Sequence, residues 1–433
     1  MTYQEAREFV NQAAKKGSIL GLETMKRLME KLKNPQDQQN VIHIAGTNGK
    51  GSTLAYLTSI LKKAGYRVGR YNSPAVFDYL EIFTINDVNI SEADYAKYME
   101  EIAKACDVLV EEGFEMPTAF EIETALAYLY FYGEKCDVTL IETGMGGDED
   151  ATNIVKNTII SIISSISMDH MRFLGNTVLE IASHKAGIIK DNSVVVCAVQ
   201  SEDHSKEIED VIQGMAMKKH ADFIKVNEPE NLVFHNEETL FDYCLASDEK
   251  RYHLSTGLLG VFQPYNASAA IETAICLRKK GFHIKDEDIV LGILETKWHG
   301  RFEKIRNSPL IYFDGGHNPD AAKLLAKSME IYFTNKKIIY IIGVLADKDY
   351  DKILALTAGF ADTIITITPN NIRALDGEAL MREAKKYHHH ARNVESIDEA
   401  IKKAVGMSGK DGVVFIFGSL SYLKEAREAC LKI

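Results

Sequence analysis

The segment Val41–Ala45, VIHIA, runs directly into Gly46-Thr47-Asn48-Gly49-Lys50-Gly51-Ser52-Thr53. A short apolar run, a turn holding three glycines, and then Leu54, Leu57, Ile60 and Leu61 at helical spacing predict a buried strand, a tight turn and a helix. That step builds a parallel sheet, because parallel neighbours need a crossover and bury both faces under helices. It recurs. Residues 137–141, 158–165 and 193–198 form further buried-strand candidates, and residues 310–313, 338–343, 363–366 and 412–417 restart the alternation. Helices are expected to begin near Pro264, Pro319, Asp349, Asp376, Ile397 and Leu420. Residues 231–254 read instead as short antiparallel strands, an insertion at the end of a first domain. A chain of 433 residues exceeds one hydrophobic core. Two α/β domains are expected, residues 1–297 and a smaller open-sheet domain, 298–433.

Charge and composition remove several classes of function. The formal charge of −12 repels a phosphate backbone, so a nucleic-acid partner is not expected. The apolar stretch at residues 157–168 is broken by Ser and Thr and is too short to span a bilayer. The start, MTYQEAREFV, is polar and carries no secretory pattern. None of the six cysteines forms a metal-type spacing, and scattered thiols on apolar segments suit a reducing cytoplasm. His388, His389 and His390 are consecutive, so on a helix or strand they cannot all point to one centre, and they read as a polar loop rather than a metal site.

Residues 46–53 have the character of a phosphate cradle. Glycines let backbone N–H groups wrap an anion, and the helix N-terminus adds a favourable dipole. Lys50 can reach the outer phosphates, and the Ser52 or Thr53 hydroxyl can face Mg²⁺. The spacing departs from the strict P-loop pattern, since Gly46 and Gly49 are three apart and Gly51 precedes Ser52. Glu142 ends a strand candidate and opens Thr143-Gly144-Met145-Gly146-Gly147, where a carboxylate can hold Mg²⁺ or simply meet solvent. His170 follows the next strand and is a candidate metal ligand, although a lone loop histidine is often structural. Lys185, near the end of a short helix, reads as a surface cation or as charge complementarity for an anionic substrate. Asp314-Gly315-Gly316-His317 repeats the strand-end pattern in the second domain, and Arg301 could clamp a phosphate.

Taken in order, GTNGKGS, NSP, TAFE, ETGMGG with DATN, MDH, HKAGIIK, GRFE, DGGHNP and GSL resemble the folylpolyglutamate synthase/dihydrofolate synthase family of the Mur ligase superfamily over nearly the whole chain. The resemblance implies an N-terminal Mur-ligase-like P-loop ATPase domain with a mostly parallel sheet, followed by a Rossmann-like glutamate ligase domain. It implies an ATP-dependent amide ligase. The carboxylate of dihydropteroate or a reduced folate becomes an acyl-phosphate, which the amino group of L-glutamate attacks. By similarity, Thr47, Asn48, Gly49, Lys50, Gly51, Ser52, Thr53, Gln263, Asn266, Arg301, Asp314 and His317 serve ATP. Ser73, Glu142, His170 and Lys185 serve paired Mg²⁺ ions, with Lys185 as an N-carbamate. Thr118, Ala119, Phe120 and Glu121, with Glu149, Asp150 and Ala151, face the pterin-bearing substrate. Lys50, Lys185 and His170 are the expected catalytic set, and a monomer is the expected state.

This chain departs from the family's pattern at Ala75, Ile82, Asp148, Phe262 and Trp298-His299. Asp148 and Ile82 stand where arginines are usual, which should weaken recognition of a polyanionic tail. A Mur-type amide ligase with a non-folate carboxylate acceptor is therefore the second reading. A nucleotide-hydrolysing switch is a third, which the glycine loop alone would allow.

Overall fold

A computed structural model describes the whole chain except Ser18, Ser201, Glu202 and Asp248. The chain divides into two compact units: Met1–Glu230 with Asp242–Leu254 and Tyr265–Thr296, and Asn231–Phe241 with Ser255–Pro264 and Lys297–Ile433.

The first unit is built on an eight-stranded sheet in the order Val88–Asn89, Phe83–Ile85, Val68–Tyr71, Val138–Glu142, Val41–Ala45, Ile160–Ile163, Val194–Cys197 and Asp222–Lys225. From Val68–Tyr71 onward the pairing is parallel, and the hairpin at the opposite edge is antiparallel. Val41–Ala45 is central and buried at every position, as its apolar run predicts. Its register sets Ile44 beside Glu142 and Ala45 beside Ile163, so the loops leaving these strands emerge together at one end of the sheet. Helix Lys50–Lys63 returns under the sheet, and helix Asp286–Glu295 packs on it. That contact is close because Gly292 has no side chain: a methyl there would lie 2.6 Å from the Ile60 Cα.

The second unit carries a six-stranded sheet in the order Glu303–Asn307, Leu310–Asp314, Val413–Phe417, Ile338–Ile342, Thr363–Thr366 and Ala391–Asn393. Only Glu303–Asn307 runs antiparallel to its neighbour. Phe302, Tyr312, Phe333 and Phe415 stack in its core. A three-stranded sheet of Glu230–Phe234, Thr239–Cys244 and Arg251–Thr256 has residues in both units, so the antiparallel strands expected over 231–254 are present but not confined to the first unit. Among the described residues no helix is long and apolar enough to cross a membrane. All six cysteines are free thiols, four of them buried.

Candidate active site

The turn after Val41–Ala45 takes the form its glycines allow. Gly46 and Gly49 have φ of 155° and 87°, and Gly49 caps helix Lys50–Lys63 in the left-handed region. Thr47 and Asn48 donate their amides to Ser165 O at 2.8 and 3.2 Å. The Thr47 hydroxyl donates to Ser167 O at 3.0 Å and accepts from Ser167 N at 3.1 Å. The loop is thereby tied to the next strand end. The amides of the helix's first turn have no partner within the helix and sit at the positive end of its dipole.

Two amines meet at this loop. Lys50 Nζ donates to Gly46 O at 3.1 Å and to Thr47 O at 3.3 Å, and lies 3.7 Å from Glu142 Oε1. Lys185 Nζ donates to the same Gly46 oxygen at 2.7 Å. Of the two sequence readings of Lys185, a surface cation does not hold, because the helix Val178–Ala186 turns it inward and leaves it 3% exposed. Burial, reinforced by the nearby Lys50 charge, pulls its amine down to about 7, while Asp169 and Asp150 oppose the shift. An anion arriving at the loop would relieve the repulsion between the two amines.

Glu142 is buried at the end of its strand and accepts a hydrogen bond from Asn72 Nδ2 at 2.6 Å. Asn72 was not singled out from the sequence; the only signal was its place in NSP, immediately before Ser73. Its Oδ1, the Thr53 hydroxyl and the Ser167 hydroxyl are buried without a hydrogen-bond partner. Such oxygens fit a bound hard cation and phosphate, which would satisfy them. Ser73 begins a cis peptide to Pro74. His170 has a left-handed backbone at the start of Met171–Leu174, its Nε2 3.6 Å from Asp169 Oδ2. Among the described residues no three His, Cys, Asp or Glu side chains gather as a metal cluster. A Mg²⁺ site drawn from Ser73, Glu142, His170 and Lys185 would therefore need the hydroxyl and a modified lysine. His388 and His390 lie ring to ring at 5.8 Å in a loop.

The residues expected to face the substrate have structural duties as well. Thr118 caps helix Ala119–Gly133, and Glu121 Oε2 accepts from the Thr118 amide and hydroxyl at 2.8 and 2.9 Å, forming a capping box. Phe120 covers the Gly144 turn: a methyl on Gly144 would meet its ring at 2.5 Å. Asp150 is buried and accepts from the Met145 and Thr152 amides at 2.7 and 3.0 Å. Burial raises its carboxyl and those hydrogen bonds oppose the rise. Glu149 O accepts from Gly21 N at 3.1 Å, and Ala151 begins the turn Ala151–Ile154.

Asn266, on helix Gln263–Lys279, belongs to the first unit, where its Oδ1 lies over the Gly49 Cα. Gln263, Arg301, Asp314 and His317 belong to the second unit. Gln263 is buried at the start of that helix, its amide donating to Gly260 O. Asp314 accepts from Phe302 N at 2.8 Å and Gly316 N at 2.6 Å, and burial raises its carboxyl against the pull of Arg301. Arg301 Nη1 donates to Gly300 O, and His317 Nδ1 donates to Gly315 O, both at 2.9 Å. Asn318 caps helix Pro319–Tyr332.

Residues 44–274 match the Mur ligase middle domain, and residues 300–420 match the Mur ligase glutamate ligase domain. A Bacillus subtilis (strain 168) relative, dihydrofolate synthase/folylpolyglutamate synthase, is 34% identical over 432 residues, 98% of each chain. The Mycobacterium tuberculosis folylpolyglutamate synthase structure with ADP and AMPPCP superimposes with a TM-score of 0.88 at 26% identity, covering 98% of this chain and 97% of that one. E. coli FolC, solved with DHPP and ADP, has a TM-score of 0.85 at 27% identity, covering 99% and 98%.

Proposed function

Because the chain belongs to the folylpolyglutamate synthase/dihydrofolate synthase family of Mur ligases, we propose that it joins L-glutamate to dihydropteroate, to a reduced folate, or to both, driven by ATP. The convergence of Lys50 and Lys185 on the Gly46 oxygen, with Glu142 3.7 Å from Lys50, carries this reading. A phosphate-binding turn needs one lysine. A second, buried amine suits a reaction in which several anionic groups meet.

A carboxylate resists attack by an amine because it is anionic and its oxygen leaves poorly. Transfer of the γ-phosphoryl group breaks its bond to ADP and forms a bond to the carboxylate oxygen. The glutamate nitrogen then adds to the carbonyl carbon, phosphate leaves with the C–O electron pair, and the nitrogen loses its proton. The first-turn amides and Lys50 bind the phosphates and offset their charge. Glu142, oriented by Asn72, and Ser73 would hold Mg²⁺, with His170 and a carbamylated Lys185 for a second ion; the metal would neutralise phosphate charge. Burial favours the neutral Lys185 amine, the form that takes up carbon dioxide. Gln263, Asn266, Arg301, Asp314 and His317 are assigned to ATP on the resemblance, as the loops at residues 118–121 and 149–151 are to the pterin. The free thiols suit a reducing cytoplasm, and a monomer is the proposed state.

The test is ADP release across candidate acceptors with glutamate, with the product mass measured. A gain of one glutamyl unit on dihydropteroate, on tetrahydrofolate or on both is the expected result. If both acceptors stay unchanged while another carboxylate gains the unit, the non-folate reading, which Ala75, Ile82 and Asp148 favour, replaces this one. ATP turnover indifferent to every acceptor would make the protein a switch.

A further inference from the structure

We infer that Asp148 is a positioning residue: with His184 it locks the helix bearing Lys185 onto the loop that follows Glu142, and so sets where the Lys185 amine stands. The sequence pointed elsewhere, to an acidic residue in place of an arginine and a lost contact for the acceptor's tail. The structure gives the half-exposed carboxylate a partner on the helix that bears Lys185. His184 Nδ1 lies 2.9 and 3.0 Å from Asp148 Oδ1 and Oδ2. A carboxylate only accepts, so Nδ1 carries the proton.

The backbones are bonded as well. Asp148 N donates to His184 O at 3.0 Å. Asn153 Nδ2 donates to Asp148 O at 3.0 Å and to Gly187 O at 3.2 Å, bridging the loop to the helix end. Two glycines bring the segments together without side-chain padding. A methyl on Gly147 would stand 2.9 Å from the Lys185 Cα, and one on Gly187 would stand 2.8 Å from the Asp148 Cα. Lys185 is thus held from below by residues 147–148, and its amine reaches Gly46 O at 2.7 Å. The same loop begins at Glu142, so one stretch of chain sets the carboxylate and, through Asp148, the buried amine.

The consequence rests on the ligase reading: a misplaced Lys185 should slow the chemical step and leave ATP binding, which residues 46–53 provide, nearly intact. In the full-length protein, Asp148→Ala, His184→Ala, the double variant and Asp148→Asn are compared by three measurements. These are kcat and KM for ATP, thermal denaturation, and acetylation of Lys185 by acetic anhydride without substrates, read by mass spectrometry. Each alanine variant is expected to lose about 10- to 100-fold in kcat with KM changed less than about threefold. Lys185 should acetylate faster in both. Asp148→Asn keeps an acceptor for the His184 Nδ1 proton and should recover most of kcat. The double variant should be no worse than the poorer single one, since both break one contact.

Unchanged kcat together with unchanged acetylation overturns the inference. So does a fall in kcat and rise in KM shared equally by Asp148→Ala and Asp148→Asn, which would mark simple loss of fold. If the unaltered protein adds glutamate to no carboxylate acceptor, the ligase reading fails, and the acetylation rates still decide whether Asp148 holds Lys185.

Discussion

Gly49→Ala tests the proposed phosphate loop through a single methyl group. Gly49 sits at φ 87°, and an added Cβ would overlap the Asn266 Oδ1 above it. The left-handed backbone alone costs an alanine roughly 1–2 kcal/mol. Pushing the Asn266 side chain off its rotamer adds about 0.5–1.5 kcal/mol. Together these give roughly 1.5–3.5 kcal/mol, or a fall in Tm of about 3–14 °C for a domain of this size. The control is Gly214→Ala, in helix Ser205–Lys218 with no atom within 4 Å of the new methyl. There the same substitution should stabilise by about 0.5–1 kcal/mol, because alanine is the better helix residue. Calorimetric unfolding of both variants, with ADP titrated calorimetrically, gives the two signs and the effect on nucleotide. Gly49→Ala should also bind ADP more weakly, since its methyl sits on the turn that presents the first-turn amides. If it unfolds at the wild-type temperature and binds ADP as well as the wild type, the turn is not held as described.

Lys50→Met should weaken ADP binding roughly 10- to 100-fold, the loss of one charge-assisted hydrogen bond to phosphate, measured by the same titration. Thr118→Ala removes the cap of helix Ala119–Gly133 and should cost about 1 kcal/mol in thermal denaturation, with Thr118→Ser recovering most of it. His43 is buried, with Nε2 2.8 Å from the Thr152 hydroxyl, and burial pulls its imidazole down to about 3 from 6.5. The unfolded chain therefore binds a proton that the folded chain refuses, and stability should fall as pH drops from 6.5 toward 3. His43→Leu should flatten that slope by up to about 1.4 kcal/mol per pH unit in urea titrations; an unaltered slope would refute the assignment.

The central strands were legible because burial on both faces leaves a largely apolar run, unbroken in Val413–Phe417 and interrupted only by His43 in Val41–Ala45. Val68–Tyr71 was not, although it is equally buried. Arg70 interrupts the pattern and is accommodated by Asp87 at 2.8 Å, and Gly69 makes room for the Phe131 ring. The edge strands Asp222–Lys225 and Glu303–Asn307 are half polar and largely polar respectively, and neither has a fully buried residue, so no apolar run marks them. Helix Lys50–Lys63 showed one apolar face, yet Tyr56 and Thr58 are buried too, because another helix covers its back. Asn72, Asp148 and His184 lay inside recognisable motifs, but nothing in their spelling says which atoms they touch.

What the sequence determined by itself was the order of strand, turn and helix and a glycine turn that opens the helix Lys50–Lys63. These depend on local rules: glycines for positive φ, apolar runs for buried strands, and helical spacing over a few residues. The tertiary structure alone decided the chemistry of the site. It buried Lys185, pressed it against a carbonyl 139 residues away, and pulled its amine toward 7 beside Lys50. A pKa depends on desolvation and on the charges nearby, and those neighbours arrive only when distant parts of the chain pack together.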